Sequence, residues 1–268
     1  MLDADILDVN ADGLLDIFVE ALPGRLFLNE GAGVFSEHSV PDFKAEFAVA
    51  ADLDGDTNTD ILAYTSRSLI IYLGNGSGDF EIGRQIDLAL TASASCVGAS
   101  DFNEDGYVDL VAGQVRMIDD FSEIAEGLLF FGGPGLTFSE STKFEVDASY
   151  PNVIATGDFN RDGHADFATS YLVRFGDGAG NFPSYQVVPG MTDHIAQIDF
   201  NNDLFIDFLT PQEFLLNRDG VFVVGFDKTA MRGSRAGDLN GDSLVDMAGI
   251  IYGEDATYLT LFLGVPPG

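Results

Sequence analysis

The chain has 268 residues, with 12 Lys and Arg against 44 Asp and Glu and a formal net charge of −32. That balance excludes nucleic acid as a partner, since binding it needs a basic footprint, and no apolar run is long enough for membrane insertion as a helix. With 46% hydrophobic residues, 31 Gly and 23 Phe, the chain can bury a sizeable core of short strands joined by tight turns.

Taken from the N-terminus, the same three-part pattern recurs. A stretch rich in small residues comes first, such as Ala48-Val49-Ala50-Ala51, Val97-Gly98-Ala99-Ser100 or Ile154-Ala155-Thr156-Gly157. An acidic loop of nine residues follows, and then a β-prone run such as Asp16-Ile17-Phe18-Val19 or Asp109-Leu110-Val111-Ala112. A third run ends in a Gly-rich turn and a Phe, as in Leu26-Phe27-Leu28-Asn29-Glu30-Gly31-Ala32-Gly33-Val34-Phe35. This predicts a hairpin whose Phe opens a fourth strand.

The loops carry oxygen-bearing side chains at positions one, three, five and nine. In order these are Asp8, Asn10, Asp12 and Asp16; Asp52, Asp54, Asp56 and Asp60; Asp101, Asn103, Asp105 and Asp109. Then come Asp158, Asn160, Asp162 and Asp166; Asp199, Asn201, Asp203 and Asp207; and Asp238, Asn240, Asp242 and Asp246. Their first positions are 44, 49, 57, 41 and 39 residues apart. Such a period signals a solenoid, propeller or array.

Four antiparallel strands per unit, six times over, predict an all-β chain forming one β-propeller domain of six blades. The expected repeats are 1–44, 45–93, 94–150, 151–191, 192–230 and 231–268. In the last one, Gly264-Val265-Pro266-Pro267-Gly268 has too few backbone donors for an outer strand, so a three-stranded blade is expected there. That reading implies part of a larger chain or an incomplete last blade, and a seven-bladed parent is compatible with it.

Oxygen-only ligands on a tight loop suit Ca²⁺, which takes six to eight oxygens at about 2.3–2.6 Å. The chain therefore offers up to six Ca²⁺ sites, and a full set would bring the charge from −32 to −20. Asp residues that merely capped turns would leave several carboxylates repelling one another at short range. An EF-hand would need Glu at position twelve, which is instead Val19, Ala63, Ala112, Thr169, Thr210 and Gly249. Position six, usually Gly, is Thr57, Leu204 and Ser243 in three loops. A left-handed backbone at Leu204 would be costly, so the fifth loop is expected to be the weakest site or to have a rearranged turn.

The Asp-x-Asn-x-Asp-Gly-x-x-Asp loop between two strands, followed by the Phe-Leu-Asn-Glu-Gly hairpin, resembles the FG-GAP or VCBS repeat. Integrin α-subunit propellers and many bacterial surface and secreted proteins carry that repeat. The resemblance runs through the whole chain and is nearer to the bacterial type, because no clear Gly-Ala-Pro element is present. It implies Ca²⁺-holding loops on one face of a propeller.

No catalytic motif is found: His38, His164 and His194 lie in separate units without metal-ligand spacing. The single Cys96 excludes an internal disulfide and is read as a small buried hydrophobe. No signal peptide is visible at Met1-Leu2-Asp3-Ala4-Asp5, so the chain is a mature or trimmed piece or is intracellular.

The expected role is a calcium-stabilised, extracellular, cell-surface or periplasmic module that binds a protein or carbohydrate ligand. The alternatives are a scaffold for a polysaccharide lyase or hydrolase, and a structural spacer. Binding is expected on the face opposite the calcium loops. The long connector there runs from Gln114 through Arg116, Met117, Asp119, Asp120 and Phe121 to Gly127, with Arg25, Tyr64, Arg67, Tyr171 and Tyr252 in equivalent places.

Overall fold

The computed structural model describes residues 3–10, 12–14, 16–20, 25–32, 34–40, 43, 47–65, 68–87, 94–119, 122–145, 153–169, 171–188, 196–201, 203–210, 213–227, 231–237, 246–252 and 257–262. Among them there is no helix, and every strand pairing is antiparallel between neighbours in sequence.

Five sheets have four strands in simple meander order. The first is β1 (Asp3–Leu7), β2 (Asp16–Glu20), β3 (Arg25–Asn29) and β4 (Phe35–Ser39). The second is β5 (Phe47–Ala51), β6 (Asp60–Thr65), β7 (Ser68–Gly74) and β8 (Phe80–Asp87). The third is β9 (Ala94–Ser100), β10 (Asp109–Asp119), β11 (Ser122–Gly133) and β12 (Thr137–Glu145). The fourth comprises β13 (Val153–Gly157), β14 (Asp166–Thr169), β15 (Leu172–Phe175) and β16 (Ser184–Val187). The fifth comprises β17 (Ala196–Ile198), β18 (Asp207–Leu209), β19 (Glu213–Arg218) and β20 (Val221–Asp227). The sixth has three described strands, β21 (Met231–Gly237), β22 (Asp246–Tyr252) and β23 (Thr257–Phe262). These are β-propeller blades, and the last one lacks a fourth strand among the described residues.

Register repeats with the sequence. The residue before the acidic loop pairs with the loop's last Asp: Leu7 with Asp16, Ala51 with Asp60, Ser100 with Asp109, Ile198 with Asp207, and Gly237 with Asp246. Each loop is therefore clamped at its two ends by one strand pair.

The chain divides into two compact units, Met1–Val153 and Ile154–Gly268. In the first, successive sheets pack face to face, and the second sheet is buried on both sides. Ile61, Ala63, Ile70 and Tyr72 join Leu26, Leu28 and Phe43 in one cluster. Their alternates Leu62, Tyr64, Leu69 and Ile71 join Val97, Leu110, Leu128 and Phe130 in another. The period-two alternation of a strand puts consecutive apolar residues into opposite layers. In the second unit, Phe159, Phe208 and Phe222 form the centre, with Phe159 edge-on to Phe208 at 5.0 Å and Phe208 stacked on Phe222 at 4.5 Å.

Two expectations are corrected. The stretch Gln114–Gly127 is not a long surface loop but a continuation of β10 and β11, paired Gln114 with Glu126 through Asp119 with Ser122. The alternation Gln114-Val115-Arg116-Met117 is that of a strand. Asp120 and Phe121 lie outside the described residues, as does Arg67. Tyr64 is no surface residue; it is fully buried between the second and third sheets. Tyr171 is exposed as expected, and Arg25 is paired with Glu37 at 2.7 Å. Cys96 and Tyr252 lie in β9 and β22, and their side chains are outside the description.

Phe159 has no exposed surface and touches both other rings. Truncating such a core aromatic costs about 3–5 kcal/mol. Phe159→Ala should therefore lower the unfolding free energy by that amount in urea denaturation, while Tyr171→Ala leaves it nearly unchanged.

Candidate metal centre

Each of the first five acidic loops sits between the first and second strands of its sheet, and its last Asp is the hub. Asp16, Asp60, Asp109, Asp166 and Asp207 are all fully buried. One carboxylate oxygen accepts the N–H of loop position two: Val9 (3.0 Å), Leu53 (2.8 Å), Phe102 (2.9 Å), Phe159 (2.8 Å) and Phe200 (3.0 Å). The other accepts an N–H from the end of the third strand or the residue after it: Asn29 (2.8 Å), Gly74 (2.9 Å), Gly132 (2.8 Å), Gly176 (2.8 Å) and Asn217 (2.7 Å). A single side chain thus ties the loop to the hairpin.

The outer positions organise the turn. In four loops the first Asp accepts the N–H groups of positions five and six: Asp8 from Asp12 and Gly13, Asp101 from Asp105 and Gly106. Asp158 does so from Asp162 and Gly163, and Asp199 from Asp203 and Leu204. Position three in these loops is Asn, whose side-chain amide donates to the position-five carboxylate: Asn10 to Asp12, Asn103 to Asp105, Asn160 to Asp162, and Asn201 to Asp203.

The second loop differs. Asp52 accepts from Gly55 and Thr57, and Asp54 stands where the other loops have Asn. An oxygen from each of Asp52, Asp54 and Asp60 lies within 4.8 Å of the others. Two ligands on one calcium sphere can be at most about 4.6–5.2 Å apart, twice the usual Ca–O distance. These three carboxylates fit one hard cation. Each oxygen has two lone pairs, so accepting one N–H leaves capacity for the metal. Among the described residues, this is the set of acidic groups brought to that spacing. Asp238, Asn240 and Asp242 lie outside the described residues, and Asp246 is described only as the start of β22.

Residues 8–63 and 52–112 match the model of the FG-GAP-like repeat. This stretch consists of FG-GAP-like repeats. No curated protein matches the sequence. Among solved structures, a lectin of Agrocybe aegerita that recognises non-reducing terminal N-acetylglucosamine is similar at TM-score 0.56 and 17% identity, over 96% of this chain and 79% of the lectin. The Tc holotoxin pore of Photorhabdus luminescens aligns with TM-score 0.47 and 15% identity, over 97% of this chain and 14% of that one. At 17% identity the likeness to the lectin is one of fold.

Two features of the loops go beyond the acidic positions. Position two is always apolar, and Val9, Leu53, Phe102 and Phe159 are buried there, which anchors the loop while its N–H reaches the hub. That regularity, with Leu239 in the sixth loop, stands in the sequence alongside the acidic pattern. The hairpin residue that donates to the hub is Gly in three repeats because the backbone passes close by. A Cβ on Gly74, Gly132 or Gly176 would overlap the carbonyl oxygen of Thr59, Val108 or Ala165. In the fifth repeat Asn217 fills the place and donates instead to that carbonyl, Ile206 O, at 3.1 Å.

The fifth loop does not rearrange. Leu204 keeps the left-handed backbone, φ 73°, and the same hydrogen bond to Asp199 at 2.8 Å that Gly makes elsewhere. Its side chain is 67% exposed, so packing offsets little of the strain. Leu204→Gly should raise stability by about 1 kcal/mol, the left-handed penalty less the added freedom of the unfolded chain, as read from the urea midpoint.

Burial pushes the carboxyls of Asp109, Asp166 and Asp207 up to about 6, against the pull of their two N–H donors. The neighbouring loop carboxylates push the same way, and Asp60 is raised for the same reasons. A carboxyl raised in the folded state favours folding when protonated. Its contribution is full below the ordinary value of 3.8 and lost as pH rises through 6. The metal-free protein should therefore gain stability from pH 7 toward pH 4. Calcium needs the ionised form, so the calcium-induced rise in Tm should shrink as pH falls below 6. Thermal melts with EGTA or millimolar Ca²⁺ across this range check both slopes.

Proposed function

We propose that the chain is a calcium-stabilised, non-enzymatic binding module that works where calcium is abundant, outside the cytoplasm, on a protein or glycan ligand. The observation that carries it is the convergence of Asp52, Asp54 and Asp60 on a spacing that suits one calcium ion, within a repeat family of propeller blades. Extracellular calcium modules often bind at about 0.1–1 mM, which fits loops of this exposed kind. The lectin-like fold supports a carbohydrate as the ligand class. A cell-surface or secreted setting within a larger chain agrees with the acidic, Lys-poor composition.

In this role the residues of the second loop hold the ion. Asp52 and Asp60 are fixed by two backbone donors each, and Asp54 by Asp56 N at 3.0 Å. The ion supplies positive charge that lets these carboxylates sit together. An ion that binds only the native state stabilises it by roughly 2.7 kcal/mol per site at a hundred times its Kd.

Melting should drop by several degrees on going from millimolar Ca²⁺ to excess EGTA. A glycan array probed in calcium and in EDTA, with the eluate analysed for cleaved saccharide, tests the ligand class. Saturable, calcium-dependent binding without products is expected. An unchanged melt would overturn the calcium assignment, and saccharide cleavage would overturn the non-enzymatic one.

A further inference from the structure

We infer that the seam between the second and third blades is a saccharide-binding cleft, with Tyr107 as its stacking platform and Asp54 as its hydroxyl acceptor. The inference rests on the binding-module reading above and names its site.

Two other seams, between the first and second blades and between the fourth and fifth, are shut by the hairpin of the later blade. The second blade's hairpin lies on the first: a Cβ on Gly78 would be 2.8 Å from Leu28. The fifth blade's hairpin lies on the fourth, where a Cβ on Gly220 would be 2.9 Å from Asn160. Polar ties lock the same two seams. Thr59 donates its hydroxyl to Asp8 O at 3.0 Å, and Asn217 donates its amide to Phe159 O at 2.6 Å.

The third blade lacks the polar tie. Val108 stands at the loop position of Thr59, and Gly132 at the hairpin position of Asn217, so no side chain there can donate a hydrogen bond. At the hairpin position of Gly78 and Gly220 stands Leu136, which packs against the cluster that joins the second and third blades. With a large side chain there in place of Gly and no polar tie, a cleft of about 500 Å³ is left between the two loops. That volume is in the range of small-ligand sites, about 300–1,000 Å³.

The walls are chemically unlike. Asp52 and Asp54 line one side, and Tyr107, Val108, Leu136 and Phe138 line the other. Tyr107 is 43% exposed, and its backbone is held by Asp105 at 3.0 Å. Asp54 is exposed, and among the described residues only one of its oxygens is engaged, by Asp56 N. A sugar ring presents an apolar C–H face and a rim of hydroxyl donors, which matches an aromatic wall facing a carboxylate wall. A calcium ion in the second loop neutralises the acidic wall, so that it accepts hydroxyls rather than attracting cations. This places the cleft on the calcium-loop side of the blades and not on the opposite face that the sequence suggested.

The experiment uses the full chain. Saccharides retained on the glycan array are titrated as free methyl glycosides by calorimetry in millimolar Ca²⁺, for the native protein, Tyr107→Ala and Tyr107→Phe. Tyr107→Ala should weaken binding about ten-fold or more while its melt stays native, and Tyr107→Phe should recover most of the affinity. As a second measurement, the Tyr107 amide resonance should shift on saturation. Saccharide binding that Tyr107→Ala leaves intact, with no shift at Tyr107, overturns the cleft and spares the binding-module reading. Absence of saccharide binding by the native protein overturns the cleft and the carbohydrate ligand class, and leaves a protein as the ligand of the module. Tighter binding of a lysine-rich peptide in EDTA than in calcium overturns the saccharide assignment in favour of a cationic ligand.

Discussion

The structure depends on a buried carboxylate that accepts two backbone N–H groups from different parts of its blade. In each described loop the last Asp is sealed from water, where an ion without partners would be very costly. It is tolerable because both oxygens are satisfied by donors that strand pairing has already set in place. The loop start, the second strand and the end of the third strand are thereby fixed to one another. The close passage of Gly74, Gly132 and Gly176 over a loop carbonyl and the buried residue at position two follow from that three-way joint.

The joint also divides the acidic loop into two jobs. The buried Asp is a strut, and the exposed Asp and Asn residues above it shape the turn. In four described loops an Asn side chain already donates to the position-five carboxylate and tempers the local charge without a metal. In the second loop Asp54 replaces that Asn, and three carboxylates converge instead. One motif therefore gathers its acids to two different degrees, and the difference lies at the amide or acid of position three.

Much of this was legible in the sequence because it is periodic. The spacing of the Asp loops, the apolar runs after them and the Gly-Phe hairpins specified four strands per blade. What was hidden was context. Tyr64 reads as surface beside polar Thr65 and Ser66, yet it is buried by a neighbouring sheet that local sequence does not reveal. The stretch from Gln114 read as a loop because its length broke the repeat, although its alternation was that of a strand. At Leu204 the intrinsic cost of a left-handed backbone was real, but three hydrogen bonds in the loop outweighed it.

The division between strut and cup bears on what calcium can do here. Because the buried Asp is satisfied by backbone donors, the blade does not need the ion to form its central joint. A cation in the second loop would meet Asp52 and Asp54 as well as the buried Asp60, and the first two line the open seam. Removing it should therefore loosen the loops and recharge the wall of the cleft before it dismantles the sheets. The substitutions that open the seam, Val108 for the hydroxyl of Thr59 and Gly132 for the amide of Asn217, exchange an inter-blade tie for space. They do so beside the loop whose acidic side chains gather at calcium spacing. Fold and site thus share Asp60, which holds the blade from beneath while Asp52 and Asp54 face the seam.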